Sequence, residues 1–459
     1  MLSTFREDGE KEYIRADITI DGTLIEDVGL RLKGNSTLQS LSNNSMGGGG
    51  GGGMTQPFED NPEELPWLIS FDEYEEGRAY QGMTEIALRP AASGSEVAIN
   101  EALALELTAE SGQITQDYTF TSVTVNGSES AARIVVDAPD TEWADELGSG
   151  VLYKARAGGS LDYVGDDPTE YEDSFKQINA EGAYDLQPVM TLMKFLNEST
   201  DEEFAEELDD YVDTESFAKY LATQEILSNN DAMDGPGNNY YLWYDTTEKQ
   251  FTVLSWDLNL ALSGMGGGMG GGVGGMQQDT ETGTATDIDA TATTDGIPAL
   301  PDGMEMPEGM EMPEMPTNGE MPTNGEMPQP PEGMEMPDGM EMPGGEEGEG
   351  AGPSGGSDSG ILKERFLDNE EFYAMYEQAY AELYEQLIAS GYAEETLDEL
   401  TTRAEEAGDE GAATVAESIR SSLASLSETA PEPSAGMGMG PGRKTATTAS
   451  ETTETTEDV

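Results

Sequence analysis

Asp231, Asp234, Asn239 and Asp257 are residues of this chain whose types and spacing could do chemistry. Asp231 and Asp234 stand in the loop "NDAMDGPGNN", directly after a helix-like run. Asn239 opens the strand-like "YYLWY", and Asp257 follows Trp256 inside the apolar run "VLSWDLNLALSG". An aspartate there must be paired, hydrogen-bonded or bound to a cation, because burying a bare carboxylate is costly. Two carboxylates and an amide supply hard oxygen ligands, which suit Mg²⁺ or Mn²⁺ with a triphosphate completing the shell. They also match the parts of phosphoryl transfer: an acidic catalytic-loop residue, a downstream Asn, and a metal-binding Asp at a strand end. A purely structural reading stays open beside this one. In it Asp231 and Asp234 are turn residues, Asn239 caps an element, and Asp257 pairs with an arginine.

Composition narrows the chemistry. The 459 residues suffice for one large core or two ordinary domains. There is no His and no Cys, which removes imidazole acid–base work, thiolate nucleophiles, disulfides and His- or Cys-ligated metal. Carboxylates, Lys/Arg, hydroxyls, amides and hard cations remain. The 94 Asp+Glu against 20 Lys+Arg give a formal net charge of −74. That balance excludes nonspecific attraction to nucleic acid or an anionic membrane. Acid spread over the whole chain reads as a solvated surface suited to high salt, as in a halophile; an acidic cation-binding protein is the alternative. No apolar stretch reaches membrane-spanning length and no signal peptide is visible at Met1. The abrupt charged opening fits a start inside a longer reading frame.

The elements that must position these residues follow from turn signals and periodicity. Residues 12–34 alternate around the turn "IDGT" and predict a hairpin. "PWLISFDEY" and "TEIALRP" read as further strands, and "DYTFTSVTVNGSESAARIVVDAP" as a second hairpin. "SEVAINEALALELTAESG" predicts a helix capped by Ser95 and stopping near Gly112. From about Thr141 the pattern is mainly helical, up to the loop, strand, turn and strand that carry Asp231 to Asp257. If "DTTEKQ" is the turn, hairpin pairing lets Asp231, Asn239 and Asp257 converge.

Residues 264–359 hold Gly/Met runs, a Thr/Asp stretch and "GMEMP" near-repeats, and predict a disordered insertion. Its methionines could bind soft metal, or be drift in a spacer. "GGGGGGG" (Gly47 to Gly53) lacks the spacing and following Lys of a phosphate loop and reads as a flexible insertion. Two or three helices are expected over 360–428, packing on the later lobe, and a disordered tail over 429–459.

The segments "VGLRLKGNST", "NEALALEL", "GVLYKA", "YVGDDPTEYEDSFKQ", "NNYYLWYD" and "SWDLNLAL" occur in this order. Together they resemble the spore coat protein H (CotH) kinase family, in pieces from about Asp17 to Asn259. The resemblance implies an α+β, atypical protein-kinase-like fold over 1–263. An N-terminal antiparallel sheet lobe (about 1–140) would join a mainly helical C-terminal lobe (about 141–263). It implies phosphoryl transfer from ATP to protein Ser/Thr with Mg²⁺ or Mn²⁺, in a secreted or surface-associated protein. Asp231 would be the catalytic-loop Asp, Asp257 the metal-binding Asp, Asn239 a second metal ligand and Asp234 a reserve ligand. Glu101 resembles the helix glutamate that pairs with a phosphate-holding lysine, for which Lys33 and Lys154 are the candidates. Ser70 stands where a related sequence is expected to carry a lysine. The alternatives are a catalytically inactive surface or structural protein of the same fold and a divalent-cation-binding module.

Overall fold

A computed structural model describes residues 11–34, 61–89, 97–235, 238–263 and 360–431. Ser95, the glycine run at Gly47 to Gly53, the 264–359 insertion and the tail beyond 431 lie outside the described residues.

A chemically marked turn joins the first two described strands. Strands β1 (Ile14–Ile20) and β2 (Thr23–Leu32) are joined through Asp21 and Gly22, both at positive φ (50° and 79°). Asp-Gly in that conformation is the two-residue turn whose twist matches an antiparallel pair. Strands β3 (Trp67–Ser70) and β4 (Glu85–Leu88) extend the sheet, with Trp67 opposite Leu88. Helix α1 (Ile99–Glu110) follows, then β5 (Tyr118–Val123) and β6 (Ala131–Asp137), whose connection holds Asn126 and Gly127 at positive φ. The antiparallel order is β1-β2-β3-β4-β6-β5. α1 buries residues all round its circumference, so it is an interior helix lying under core on several sides.

The later half is less purely helical than periodicity predicts. After the short helix α2 (Thr141–Glu146), β7 (Gly150–Ala155) and β8 (Phe175–Gln177) form. Helices α3 (Gln187–Glu198), α4 (Asp201–Glu207) and α5 (Thr214–Ile226) precede the hairpin β9 (Tyr240–Asp245) and β10 (Phe251–Ser255). The hairpin joins a four-stranded sheet in the order β10-β9-β7-β8. "VLY" at Val151 to Tyr153 is buried on both faces, and such a run carries neither the alternation nor the length that separates strand from helix.

Helices α6 (Ile361–Asp368), α7 (Glu370–Leu383), α8 (Tyr392–Ala407) and α9 (Ala412–Ala424) end the described chain, four where two or three are expected. α7 packs on α5, whereas α8 and α9 pack on α1, and α8 also meets β5. The largest core runs from α1 through β7, α3 and α5 to these helices. A second core lies within the first sheet around Val28, Trp67 and Leu88. A third, under the four-stranded sheet, contains Trp243, Leu254 and Trp256.

One acidic cavity, about 330 Å³, is lined by Asp117, Asp137, Asp140 and Glu146 beside Tyr118 and Trp143. Burial, and then Asp140, Asp117 and Glu146, push the Asp137 carboxyl up to about 7. The native state therefore keeps a proton there that the unfolded chain releases above about pH 4. The resulting penalty grows between about pH 4 and 7 and is constant above. Asp137→Asn should raise the melting temperature at pH 8 and leave it nearly unchanged near pH 3.5, as thermal denaturation across that range would read.

Candidate functional site

The site begins at the end of β4. The Arg89 backbone N–H donates to Ile134 O at 3.0 Å, and the buried Arg133 donates from Nε to Arg89 O at 3.0 Å. Arg133 Nη2 also donates to Leu65 O at 3.0 Å, so this strand end is tied to two neighbouring segments. Thus anchored, the Arg89 side chain turns inward. Nε donates to Glu101 Oε1 at 2.9 Å and Oε2 at 3.1 Å, and Nη2 donates to Asp257 Oδ1. Arg89 is 5% exposed, Glu101 3% and Asp257 26%. One guanidinium thus joins the first turn of α1 to the second residue after β10.

Asp257 sits in the left-handed region (φ 56°, ψ 56°), leading into a short 3₁₀ turn at Leu258–Leu260. Few L-residues tolerate that conformation; Asn and Asp tolerate it better than most. The turn is held from α1, because Asn100 Nδ2 donates to Asn259 O at 2.7 Å and Ala261 O at 2.9 Å. Neighbouring residues of α1, Asn100 and Glu101, therefore fix both the backbone and the charge environment of this segment.

Around Asp257 the chain collects cations. Lys33 Nζ lies 4.6 Å, Lys154 Nζ 4.9 Å and Arg89 Cζ 5.9 Å from the centre of the Trp256 ring. Trp256 packs edge-on against Tyr241, their ring centres 5.5 Å apart. Lys33 follows β2, where its N–H donates to Pro66 O at 3.0 Å; Lys154 stands in β7 opposite Tyr241. Burial, then Lys154 and Arg89, push the Lys33 ammonium well below its ordinary value, while Glu85 and Asp257 oppose the fall. Burial lowers Lys154 to about 8, with Asp257 working against it and Lys176 and Arg89 adding to it. For Arg89 burial is outweighed by Asp257 and Glu101, so its pKa is raised and it stays charged. Burial raises Glu101, against the pull of Arg89.

A second group stands at the same end of the hairpin. Ser255 pairs with Tyr240, so Asn239 and Trp256 are the next residues beyond the paired ends. Asn239 Nδ2 donates to Asp231 Oδ2 at 2.8 Å. The loop is folded tightly: a Cβ added to Gly235 would lie 2.5 Å from both Asn230 O and Asp231 Cα. That closeness explains the glycine there. Neighbouring Asn238 is buried, at φ 49°, and donates to Gly159 O at 2.6 Å and Arg156 O at 3.1 Å. Asp234 instead meets Lys363 Nζ of α6 at 2.6 Å.

The residues singled out in the sequence therefore fall into three groups. Asp257, Glu101, Lys33 and Lys154 come together; Asp231 and Asn239 form a pair; Asp234 is engaged by the C-terminal helices. The glutamate of α1 is paired with Arg89, where the resemblance implies a lysine. Arg89 and Trp256 were missed as site residues. The available signal was an arginine closing the apolar run "EIALR", in a chain with few basic residues. Among the described residues no three carboxylates gather into a metal cage. The donors present are nevertheless hard oxygens, and Mg²⁺ usually binds through one or two carboxylates plus substrate phosphates.

No helix of the described residues is long and apolar enough to cross a membrane. A family model described as CotH kinase protein matches residues 30–296, more than half of the chain. No curated protein matches it.

Proposed function

Because the chain belongs to the CotH kinase family, we propose that it transfers the γ-phosphoryl group of ATP to Ser or Thr hydroxyls of a protein. The observation that carries this reading is the gathering of Lys33, Arg89 and Lys154 around Trp256. Only 20 of the 459 residues are basic, yet these three share one partly buried place and repel one another. Glu101 and Asp257 pair with Arg89, and the two lysines held beside it against burial suit a further anion; such arrangements cluster at functional sites.

In this reading Lys33, Lys154 and Arg89 hold phosphate oxygens, and Glu101 orients Arg89. Asp231, held by Asn239, orients the acceptor hydroxyl and takes its proton as the oxygen bonds to the γ-phosphorus. The bond between the γ-phosphorus and its bridging oxygen breaks, and ADP leaves with that oxygen. Asp257 and Asn239 would hold a divalent cation, Mg²⁺ or Mn²⁺, which neutralises charge on the phosphates when bound. Positioning and charge neutralisation supply the catalysis.

Equilibrium binding of a nonhydrolysable ATP analogue with Mg²⁺ in molar salt tests this reading through Lys154. Its ammonium is lost in the free protein as pH rises through about 8, below the ordinary value of 10.5. Affinity should therefore bend downward above about pH 8, with proton uptake on binding. Lys154→Met should weaken binding and flatten that bend. No binding at any pH would remove the nucleotide reading.

The second reading is a catalytically inactive protein of the same fold. It is favoured by the ion pair that engages Asp257 with Arg89. Binding without transfer would select it.

A further inference from the structure

Helix α1 carries Glu101, and both of its ends are held by residues far along the chain. Its first turn lacks a side-chain cap at Ala98. Instead the Val97 N–H donates at 2.8 Å to Oδ2 of Asp409, between α8 and α9. Asp409 is 1% exposed, and its Oδ1 accepts from Gly411 N at 2.8 Å, which ties the same carboxylate to the start of α9. At the other end Gln386 Nε2 donates at 2.7 Å to the carbonyl of Glu110, the last residue of α1. The carboxylate, which binds the residue before the N-cap, suits the dipole of the N-terminal end, and the amide donor meets an orphan carbonyl of the last turn. Between them α8 and α9 pack along α1, and Ser122 Oγ of β5 donates to Ala407 O at 2.8 Å. The same C-terminal segment reaches the catalytic loop through Lys363 and Asp234, at 2.6 Å.

We propose that the C-terminal helices are an internal clamp on α1, with Asp409 and Gln386 as positioning residues. By gripping both ends they set the rotation and depth of α1, and so hold Glu101 against Arg89 and Asn100 against the turn after Asp257. The consequence for nucleotide rests on the kinase reading; the clamp itself does not.

The test is native-state hydrogen exchange of the full chain in molar salt, comparing wild type with Asp409→Asn and Gln386→Ala. A lost hydrogen bond of this kind changes a local opening equilibrium by about tenfold. Exchange over 97–110 should speed by about that factor while α5 (Thr214–Ile226) keeps its protection. The KM for ATP should rise more than kcat falls, because the helix positions the cation that holds phosphate. Unchanged exchange in α1, or a rise that α5 shares equally, overturns the clamp. Gln386 is exposed, so its variant carries the test by itself if the Asp409 variant does not fold. If wild type binds no nucleotide while α1 responds, the kinase reading falls and the clamp stands.

Discussion

Replacing Arg89 by alanine is expected to lower the unfolding free energy by about 3–5 kcal/mol, the usual cost of stripping one partner from a buried ion pair. Glu101 is 3% exposed and takes two hydrogen bonds from Arg89, while Asp257 takes a third. Without the guanidinium, two carboxylates face each other across a site that burial already makes unfavourable for charge. Domains of ordinary size are stable by only 5–15 kcal/mol, so this loss is a large share of the total. Denaturant unfolding in molar salt, where the acidic surface is screened, would measure it. The paired change Arg89→Met with Glu101→Leu separates stability from function. Apolar replacement of a buried pair is often neutral, so the double variant should regain much of the stability while binding no nucleotide. A loss below about 1 kcal/mol for Arg89→Ala would show that the pair does not hold α1 to the segment after β10 as described above.

The second large effect is on transfer. Asp257→Asn should lower phosphoryl transfer roughly 10²–10³-fold, the range seen when one charge-stabilising group of a transition state is removed, with the fold intact. Asparagine is chosen because residue 257 has φ 56°, which Asn tolerates and Ala does not accept readily. The change also leaves Arg89 its two hydrogen bonds to Glu101. The effect is expected in kcat, with a smaller change in the KM for ATP, because Lys33, Lys154 and Arg89 remain. Circular dichroism and steady-state kinetics on the same sample would check both halves of the prediction.

What could be read from sequence is what local chemistry specifies. Asp21-Gly22 and Asn126-Gly127 mark their turns because both residues take positive φ there. α1 was legible from its apolar spacing, and Asp257 from being a carboxylate in a buried run. The rest depends on distance along the chain. The bond from Arg89 to Asp257 joins residues 168 apart, and that from Val97 to Asp409 residues 312 apart, which no periodicity encodes. An arginine just past β4 and a tryptophan just past β10 gain their meaning only where the two sheets bring them together. The chain leading into α1 is held by a carboxylate from the C-terminal helices, and nothing in the neighbouring residues signals that partner. β8, three residues long, lies below the length at which alternation carries a signal.

The most direct measurement is incorporation of label from γ-labelled ATP into protein, with Mg²⁺ or Mn²⁺ in molar salt. It would compare wild type, Asp257→Asn and Asp231→Ala. Label on Ser or Thr of the wild type, reduced roughly a hundredfold or more in both variants, is the expected result. Equal incorporation by all three, or none by a wild type that binds ATP, would contradict phosphoryl transfer by this site.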